Sequence, residues 1–582
     1  MMDRNRAIWI KDPLAILADG AERGIVVQDG RIVELVPRGG QPTTSAAFFE
    51  AGDHVVLPGL INTHHHFYQT LTRALPAAMD RELFPWLQAL YPVWARLTPE
   101  RLELGVTVAM SELLLSGCTT TTDHHYVFPA GLEDAVGIEV AVAKRLGMRV
   151  LLTRGSMNRS QRDGGLPPDS VVQDEDTILA DSERVVAKHH QRGEDAMVQI
   201  ALAPCSPFSV TTSLMRATAA LADRLDIRLH THLAETEDEN KFCEQTHGCR
   251  PLDYLEQCGW LNARTWLAHG VHFNATEMKR LARARTTISH CACSNQLLAS
   301  GCCPVCDMEA AGVAIGLGVD GSASNDGSNL MQEVRAAFLL QRARYGVGKV
   351  SHKDALRWAT RGSAACVGRP ELGEIALGKR ADLALFKLDE LRFSGHGDAL
   401  AALVLCGAHR ADRVMVAGKW VVADGAIEGL DVADLIRRHS AAGRAMQVAS
   451  ERGKLAFGQD SEMIKFGPKA QLTSIMDNWA PYYIARVRAE LDGKWKEEDT
   501  WGGLKSKMVV MAPYTNMPDD VKKLATDTEA AIIDGKLFPF KCPVIGQDGK
   551  EVECKGGTRL DDGQVLGMNF YVKGVDDKIP GK

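Results

Sequence analysis

The sequence predicts an α/β protein in which a parallel (β/α)8 TIM barrel is flanked by β-rich segments. Eight short apolar, β-branched segments alternate with longer helix-like segments, which is the pattern of a parallel β/α fold. Several of the eight end in His, Asp, Glu or Cys, as expected where carboxyl strand ends form an active site. The predicted strands are residues 60–66, 118–125, 149–156, 198–206, 227–235, 265–270, 286–294 and 313–321.

The segments on either side of the barrel predict a second, discontinuous domain. "GIVVQDGRIVELVP" precedes the barrel, while "GEIALGKRADLALFKLDEL" and "DRVMVAGKWVVADGAI" follow it, and their Gly-containing turns are typical of antiparallel hairpins. We expect residues 1–58 and 366–440 to form one β-sandwich domain with a closing helix, around a barrel at 59–365.

A change in basic composition predicts a further domain. Residues 1–446 contain 37 Arg and 10 Lys, whereas residues 447–582 contain 4 Arg and 16 Lys. So abrupt a change is unusual within one domain. We therefore expect a junction near 441–447, followed by a separate C-terminal α/β fragment at 447–582.

Composition narrows the classes of partner. The chain has 582 residues, 45% of them hydrophobic and 24% charged, and no apolar run approaches the roughly 20 residues of a membrane span. Its net charge of -7 provides no basic surface for nucleic acid. The first residues break any apolar run with Lys11, Asp12 and Pro13, unlike a secretory signal. We expect a cytoplasmic protein with a small-molecule substrate and no membrane or nucleic-acid partner.

The first metal motif is "INTHHH". Side chains alternate along a strand, so His64 and His66 share one face while His65 points away. Two imidazoles alone do not make a metal site, and a polar strand end explains this segment equally well.

The ends of three other predicted strands favour a metal site over a polar strand end. "LHTHLAE" repeats the alternation, "LAHG" adds a histidine and "GVDGSASND" adds a carboxylate. A catalytic zinc needs three or four N or O ligands and an open position for water. The predicted ligands are therefore His64, His66, His232 and Asp320, which leaves Glu235 and His269 for proton and charge chemistry.

Taken together, these motifs resemble the amidohydrolase superfamily. "LPGLINTHHH", "HTHLAE", "LAHG", "SHCACSN" and "GVDGSASND" occur in the family's order, and the resemblance covers about residues 7–440. Within it, "NTHHHFYQTLTRALP", "TTTTDHHYVFP" and "DGGLPPDS" look most like 8-oxoguanine deaminases and hydroxytriazine aminohydrolases. One departure is Ala292, where relatives commonly have Pro.

The resemblance implies a fold, a cofactor and a reaction. One divalent metal is expected, Zn²⁺ or Fe²⁺, because "VQIALAPCSPF" has no lysine to bridge two metals. Asp320 is implied to bind the metal and take a proton from water, Glu235 to protonate the ring nitrogen beside the attacked carbon, and His269 to hydrogen-bond the developing oxygen. The implied reaction is hydrolytic deamination of a purine, with 8-oxoguanine giving urate and ammonia, in a homo-oligomer.

Substrate contacts are less specific in the sequence. Gln69 either pairs with a purine edge or is a solvated loop amide, and Arg154 either holds a carbonyl oxygen or pairs with a carboxylate at the barrel rim. His290 either contacts the substrate or orients its loop. His124 and His125 end a strand that borders the expected pocket.

The sequence is also compatible with other enzyme functions and with one function that is not enzymatic. A guanine or other purine deaminase, a hydroxytriazine aminohydrolase and a chlorohydrolase would share the metal motifs. Residues 447–582 resemble the C-terminal part of basic membrane lipoprotein-type substrate-binding proteins, which are receptors for nucleosides, so nucleoside binding without catalysis is the non-enzyme alternative. Without the preceding lobe of such a receptor we expect poor binding, and in a reducing compartment we expect Cys542 and Cys554 to stay reduced.

Overall fold

The computed structural model describes residues 7–448, 456–460, 462, 464 and 471–574. The chain divides into two compact units, residues 1–447 and 448–582. The predicted junction at 441–447 lies at this division. Among the described residues, no helix is long and apolar enough to cross a membrane.

The first unit contains eighteen of the described strands, and the middle eight belong to the barrel. The strands before the barrel are β1 (Ala7–Lys11), β2 (Ala15–Ile16), β3 (Gly24–Gln28), β4 (Arg31–Leu35), β5 (Ala46–Glu50) and β6 (His54–Pro58). The barrel strands are β7 (Leu60–Asn62), β8 (Cys118–His125), β9 (Arg149–Ser156), β10 (Val198–Pro204), β11 (Leu229–Leu233), β12 (Thr265–His269), β13 (Thr287–His290) and β14 (Ile315–Leu317). After them come β15 (Leu383–Lys387), β16 (Arg413–Val416), β17 (Lys419–Ala423) and β18 (Ala426–Ile427).

The eight barrel strands pair in parallel and in chain order, which confirms the predicted barrel. Its first and last strands approach each other through backbone hydrogen bonds. The N–H of Thr63 donates to the carbonyl of Leu317 at 2.9 Å, and the N–H of Asp320 donates to the carbonyl of His64 at 3.1 Å. These bonds connect the residues just after β7 with β14 and with the residues just after β14, at the two ends of the eight-stranded sheet.

Helices alternate with the barrel strands along the chain. Thr98 caps the second helix by accepting a hydrogen bond from the N–H of Arg101, and Pro99 occupies its first turn, so its start is encoded locally. The helices of this unit are α1 (Leu83–Trp94), α2 (Pro99–Leu115), α3 (Ala135–Leu146), α4 (Glu175–His189), α5 (Thr212–Leu225), α6 (Glu237–His247), α7 (Pro251–Gln257), α8 (Ala275–Ala284), α9 (Ala292–Leu297), α10 (Val305–Ala311), α11 (Leu330–Tyr345), α12 (His352–Arg357), α13 (Ser363–Cys366), α14 (Ala399–Ala402) and α15 (Val432–Val448).

The flanking strands form the two sheets of the extra domain. One sheet has the order β4-β3-β1-β5, and the other has the order β18-β17-β16-β15-β6-β2. The second combines strands from both sides of the barrel because β6 pairs antiparallel with β15, placing Pro58 opposite Leu383. Ile10, Ile25 and Met415 belong to a core shared by the two sheets.

A buried ion pair connects this domain to the barrel. Arg149, the first residue of β9, donates through Nε and Nη2 to the two oxygens of Asp382 at 3.0 and 3.1 Å. Both side chains are almost wholly inaccessible to solvent. A bidentate pair in this setting fixes orientation as well as charge.

The second unit has two small sheets and three helices among its described residues. Its strands are β19 (Ala456–Asp460), β20 (Gln471–Asp477), β21 (Val509–Met511), β22 (Val544–Ile545) and β23 (Glu551–Val552), and its helices are α16 (Trp479–Leu491), α17 (Asp519–Ile533) and α18 (Asp562–Leu566). Cys542 and Cys554 form a disulfide, which corrects the expectation that they stay reduced. The β22–β23 hairpin brings their Cα atoms to 6.5 Å, within the span of a disulfide.

Candidate metal centre and active site

The four predicted metal ligands come together at the carboxyl edge of the barrel. His232 lies within β11, Asp320 follows β14, and His64 and His66 lie just beyond β7, which ends earlier than predicted, at Asn62. Although these two histidines are outside the strand, both face the same carboxylate. All four ligand side chains are buried.

The distances between the candidate ligand atoms match a metal coordination sphere. Oδ1 of Asp320 lies 3.4 Å from Nε2 of His64 and 3.3 Å from Nε2 of His66. Nε2 of His66 lies 3.2 Å from Nε2 of His232. Ligands in a tetrahedron around zinc, at bonds of about 2.0–2.1 Å, are separated by about 3.3 Å. These atoms therefore surround a space of the right size for one ion.

Hydrogen bonds to the backbone set the tautomers of two of the histidines. Nδ1 of His66 lies 2.7 Å from the carbonyl oxygen of His124, and Nδ1 of His232 lies 2.6 Å from that of Cys205. A carbonyl only accepts, so each Nδ1 carries the proton and each Nε2 presents a lone pair. Orientation through the other ring nitrogen is usual for metal-binding histidines.

A second histidine sets the tautomer of His64. Nδ1 of His230 donates to the carbonyl oxygen of Trp266 at 2.9 Å, which leaves its Nε2 as an acceptor. That Nε2 lies 2.8 Å from Nδ1 of His64. His64 therefore donates from Nδ1, and its buried Nε2, which has no hydrogen-bond partner among the described residues, is free to bind a metal. Three lone pairs and one carboxylate fit a divalent cation.

The pKa values of two carboxyl groups at the centre are shifted in opposite directions. Burial raises the pKa of Glu235 well above its usual value, and the charge of Asp320 adds to this effect. Burial also opposes ionisation of Asp320, but the imidazoles of His64 and His66 that face it outweigh burial and hold its pKa well below the usual value. Glu235 is therefore a proton donor and Asp320 a carboxylate.

His269 lies between these two groups. Its Nε2 is 3.4 Å from Oε2 of Glu235 and 3.9 Å from Oδ2 of Asp320. Its Nδ1 lies 2.9 Å from the amide oxygen of Asn295, so Nδ1 is the donor that orients the ring. The φ angles of His269 and Asp320 are +76° and +64°, in the left-handed region. Such strained backbone at the ends of two barrel strands is characteristic of functional sites.

Gln69 also lines the cavity that contains these groups. It lies on a 3-10 helix at Phe67–Thr72, and its Oε1 accepts the N–H of Ala323 at 3.4 Å. Its Nε2 is buried with no acceptor among the described residues. A Cβ on Gly321 would lie 1.8 Å from Oε1 of Gln69, so a side chain there would displace the amide. The amide N–H2 is thus held in place and available to a ligand.

The rest of the cavity wall is mainly apolar. The cavity is lined by Leu83, Trp86 and Leu87 of α1 together with Phe208 and Leu298, and all five are buried. Apolar walls with a few converging polar groups are the usual lining of a site for a flat heteroaromatic ring, but the volume of this cavity is only about 30 Å³, so its walls must move apart to admit one.

The structure does not bring Arg154 to this cavity. Its guanidinium donates to Asp181 and to Gln173, each at 2.8 Å, and lies over the ring of Phe128. Arg154 pairs in register with His125, whereas the neighbouring His124 faces the metal centre, so Arg154 points outward into the helix layer. The predicted substrate contact therefore finds no support in its position, and the alternative pairing with a carboxylate describes it.

His290 ends β13 but is also outside the cavity lining. Its Nε2 lies 3.3 Å from Nε2 of Gln341, which in turn donates to the carbonyl of Cys303. Burial and the nearby His269 lower its pKa to about 3, so its ring is neutral. This placement agrees better with orienting a loop than with contacting a ligand.

Sequence reasoning assigned no orienting role to three groups at the site. His230 was visible as the other member of the "HTH" alternation, and the signal was its position two residues before His232. His124 stacks on His232 with ring centroids 4.7 Å apart. Asn295 is the last residue of the quoted "SHCACSN", but no local pattern indicates that its amide holds His269.

The fold and the centre define an enzyme built on a barrel around a metal site. The chain belongs to the amidohydrolase family, whose sequence profile matches residues 55–421. It is a hydrolase that acts on C–N bonds.

Three comparisons relate the chain to known proteins. It is 63% identical over 442 residues to an 8-oxoguanine deaminase from Pseudomonas aeruginosa, covering 75% of this chain and 98% of the relative. The crystal structure of an atrazine chlorohydrolase from Arthrobacter aurescens complexed with zinc superposes with a TM-score of 0.70 at 29% identity, covering 75% of this chain and 99% of that one. The C-terminal part is 56% identical over 147 residues to a purine-binding protein from Brucella abortus, which covers 25% of this chain and 42% of that relative.

Proposed function

We propose that the protein deaminates 8-oxoguanine by hydrolysis, giving urate and ammonia. The observation that carries the reaction is the convergence of three imidazole Nε2 atoms and the Asp320 carboxylate beside a protonated Glu235. The choice of base is supported by the 63% identity to an 8-oxoguanine deaminase over nearly the whole length of that relative.

His64, His66, His232 and Asp320 would hold one divalent metal, and we propose Zn²⁺. Three nitrogen ligands and one oxygen ligand suit zinc, and the similar chlorohydrolase structure contains zinc. β10 contains no lysine, so nothing on that strand would bridge a second metal. When bound, such an ion supplies Lewis acidity that lowers the pKa of water to about 7.

Acid and base roles follow from the two carboxyl groups. Asp320, ionised and next to the ligand histidines, accepts the proton of the attacking water. Glu235, whose pKa burial raises well above its usual value, donates its proton to the ring nitrogen next to the carbon that bears the amino group. Nε2 of His269 hydrogen-bonds the oxygen on which charge develops, and the proton on Asp320 then passes to the leaving amine, which departs as ammonia.

The cavity supports a purine as the substrate. The apolar side chains from α1 and Phe208 provide contact surface for a flat ring, and the free N–H2 of Gln69 is a donor for a carbonyl oxygen or ring nitrogen. The second carbonyl oxygen of 8-oxoguanine takes the place of the N7 acceptor of guanine, so such a donor meets an acceptor at a different position on the two bases.

The direct test is ammonia release from the metal-replete protein with 8-oxoguanine, guanine, isocytosine and a hydroxytriazine in parallel. We expect 8-oxoguanine to give the highest kcat/KM and Asp320→Asn to be inactive. Metal content and circular dichroism of the variant separate loss of chemistry from loss of folding. Rapid release from the hydroxytriazine and none from 8-oxoguanine would contradict the proposed substrate.

A second candidate is hydrolysis of a chlorotriazine, which the similarity to the atrazine chlorohydrolase favours. The same centre would then release chloride instead of an amine. Chloride release from a chlorotriazine, measured beside ammonia release from 8-oxoguanine at equal enzyme concentration, decides between the two.

For the C-terminal unit we propose no catalytic role. All the site residues lie in residues 1–447, and the chain spans only 42% of the purine-binding relative that the C-terminal part matches. We further propose a cytoplasmic homo-oligomer, as the family resemblance implies, and light scattering of the purified protein measures its order.

A further inference from the structure

A second cavity lies at the amino end of the barrel, opposite the metal centre. Its volume is about 970 Å³, and Leu151, Gln199 and Leu229, near the starts of β9, β10 and β11, form part of its wall. Five arginines also line it, and we call it the arginine cavity: Arg192, Arg216, Arg228, Arg264 and Arg285.

The charges in this cavity do not balance. Arg192 and Arg264 pair with Asp226, at 3.3 and 2.6 Å. Arg264 also reaches Asp223, at 3.3 Å, and these two aspartates are the only acidic residues among the lining residues that the structure describes.

The other three arginines are not neutralised in this way. Within the described part of the chain, Arg216, Arg228 and Arg285 have no carboxylate at ion-pair distance, while Arg216 and Arg285 are exposed to solvent. Five positive and two negative side chains leave an excess of three positive charges around one concave surface. Low-dielectric walls concentrate the resulting positive potential inside such a cavity.

Arg228 is held rigidly within this cavity. Its Nη2 donates to the carbonyl of Cys366 at 2.6 Å, and its guanidinium lies 5.6 Å from the ring centre of Trp266. Its Nε is buried and has no acceptor among the described residues.

The backbone at Gly368 leaves room for this guanidinium. A Cβ there would lie 2.5 Å from Nη1 of Arg228, so the glycine is needed for the close approach. Burial lowers the pKa of Arg228 to about 10, so the group is desolvated but still charged at neutral pH. A desolvated cation with a free donor gains more from an anion than a solvated one does.

We propose that the arginine cavity binds a multiply charged phosphate anion of nucleotide size. Arg228 would contact the phosphate from inside the cavity, and Arg216 and Arg285 would contact it from the rim. Guanidinium groups recognise phosphate oxygens through paired, charge-assisted hydrogen bonds. The volume is at the upper end of the range for small-ligand sites, and apolar side chains such as Ile200 and Val367 provide a surface for a base.

The test is calorimetric titration of the full-length, metal-replete protein with inorganic pyrophosphate, ATP and adenosine in separate experiments. We expect saturable binding of pyrophosphate or ATP that weakens with added salt, and none of adenosine. Binding of pyrophosphate alone identifies a small phosphate compound, and tighter binding of ATP identifies a nucleotide. Metal content is measured after each titration so that removal of the metal is not mistaken for binding.

Variants connect the binding to this cavity. Arg228→Gln and Arg285→Gln should each weaken phosphate binding by about tenfold or more, because each removes a charged hydrogen bond. Arg285 is exposed at the end of α8, so its replacement tests the site even where Arg228→Gln impairs folding. The matched control is Arg283→Gln, an exposed arginine of α8 that does not line the cavity. No saturable phosphate binding, or equal binding in Arg285→Gln and the control, would overturn the proposal.

Discussion

His230→Phe is the most informative single change because His230 touches no substrate and, in the proposed centre, no metal. The ring of His230 lies parallel to Trp266 with centroids 4.4 Å apart, and phenylalanine preserves the shape that makes this stack. The change removes the acceptor for Nδ1 of His64. His64 then has no group that keeps its proton on Nδ1, and the tautomer with the proton on the metal-facing Nε2 becomes accessible.

The size of the effect follows from the bond that is lost. Leaving a buried N–H without an acceptor costs about 1–3 kcal/mol. If that cost falls on the metal-binding tautomer alone, the metal dissociation constant rises by about 5- to 150-fold. Changes of residues that orient metal ligands have effects of about 10- to 100-fold on metal affinity or activity.

The assay is competition for zinc between the protein and a chelator of known affinity, together with kcat at saturating metal. We expect His230→Phe to lose affinity by about 10- to 100-fold and to recover much of its activity when zinc is in excess. His230→Gln, whose amide oxygen can accept from His64, should retain more affinity than His230→Phe. Unchanged zinc affinity in a folded His230→Phe protein would refute the tautomer argument.

Three further predictions concern the acid, the domain connection and the C-terminal unit. Glu235→Gln should lower kcat by about 10²- to 10⁴-fold with metal content unchanged. Because burial raises the pKa of the wild-type acid, the wild-type rate should fall only as the pH rises through that raised pKa, which a stopped-time ammonia assay at a series of pH values measures. Arg149→Met should lower the free energy of unfolding by about 3–5 kcal/mol, since it leaves the Asp382 carboxylate buried and unpaired, and urea denaturation measures this. A chain ending at Gln447 should keep its zinc and its kcat/KM, and loss of activity in a folded chain of that length would contradict the non-catalytic role of the second unit.

The barrel was predictable because its strands carry their own signal. The predicted limits of β8 and β9 agree with the structure, and both strands are buried along their whole length, so nearly continuous β-branched and apolar residues identify them. β14 is much shorter than predicted, three residues instead of nine. The residues just beyond Leu317 are no longer paired in the sheet, and Asp320 adopts the left-handed conformation.

The side of the strand to which each residue of β8 and β9 points could not be predicted from the sequence. The consecutive residues His124 and His125 point to opposite sides, and nothing in "DHH" shows which one enters the barrel. The same ambiguity applies to Arg154, which is paired with His125 and therefore meets Asp181 of α4 and not the cavity. A strand position is fixed by register with its neighbours, which is a property of the folded sheet.

The two carboxyl groups at the centre show why residue type alone does not assign a role. Glu235 and Asp320 are both buried acids within 4 Å of the same imidazole nitrogen of His269. Only Asp320 faces His64 and His66, whose rings stabilise its charge, and that charge in turn makes ionisation of Glu235 harder. The ionised state of one group therefore enforces the protonated state of the other. The assignment of base and acid is therefore a property of the pair, and Asp320 reaches the histidines that follow β7 from a backbone in the left-handed conformation.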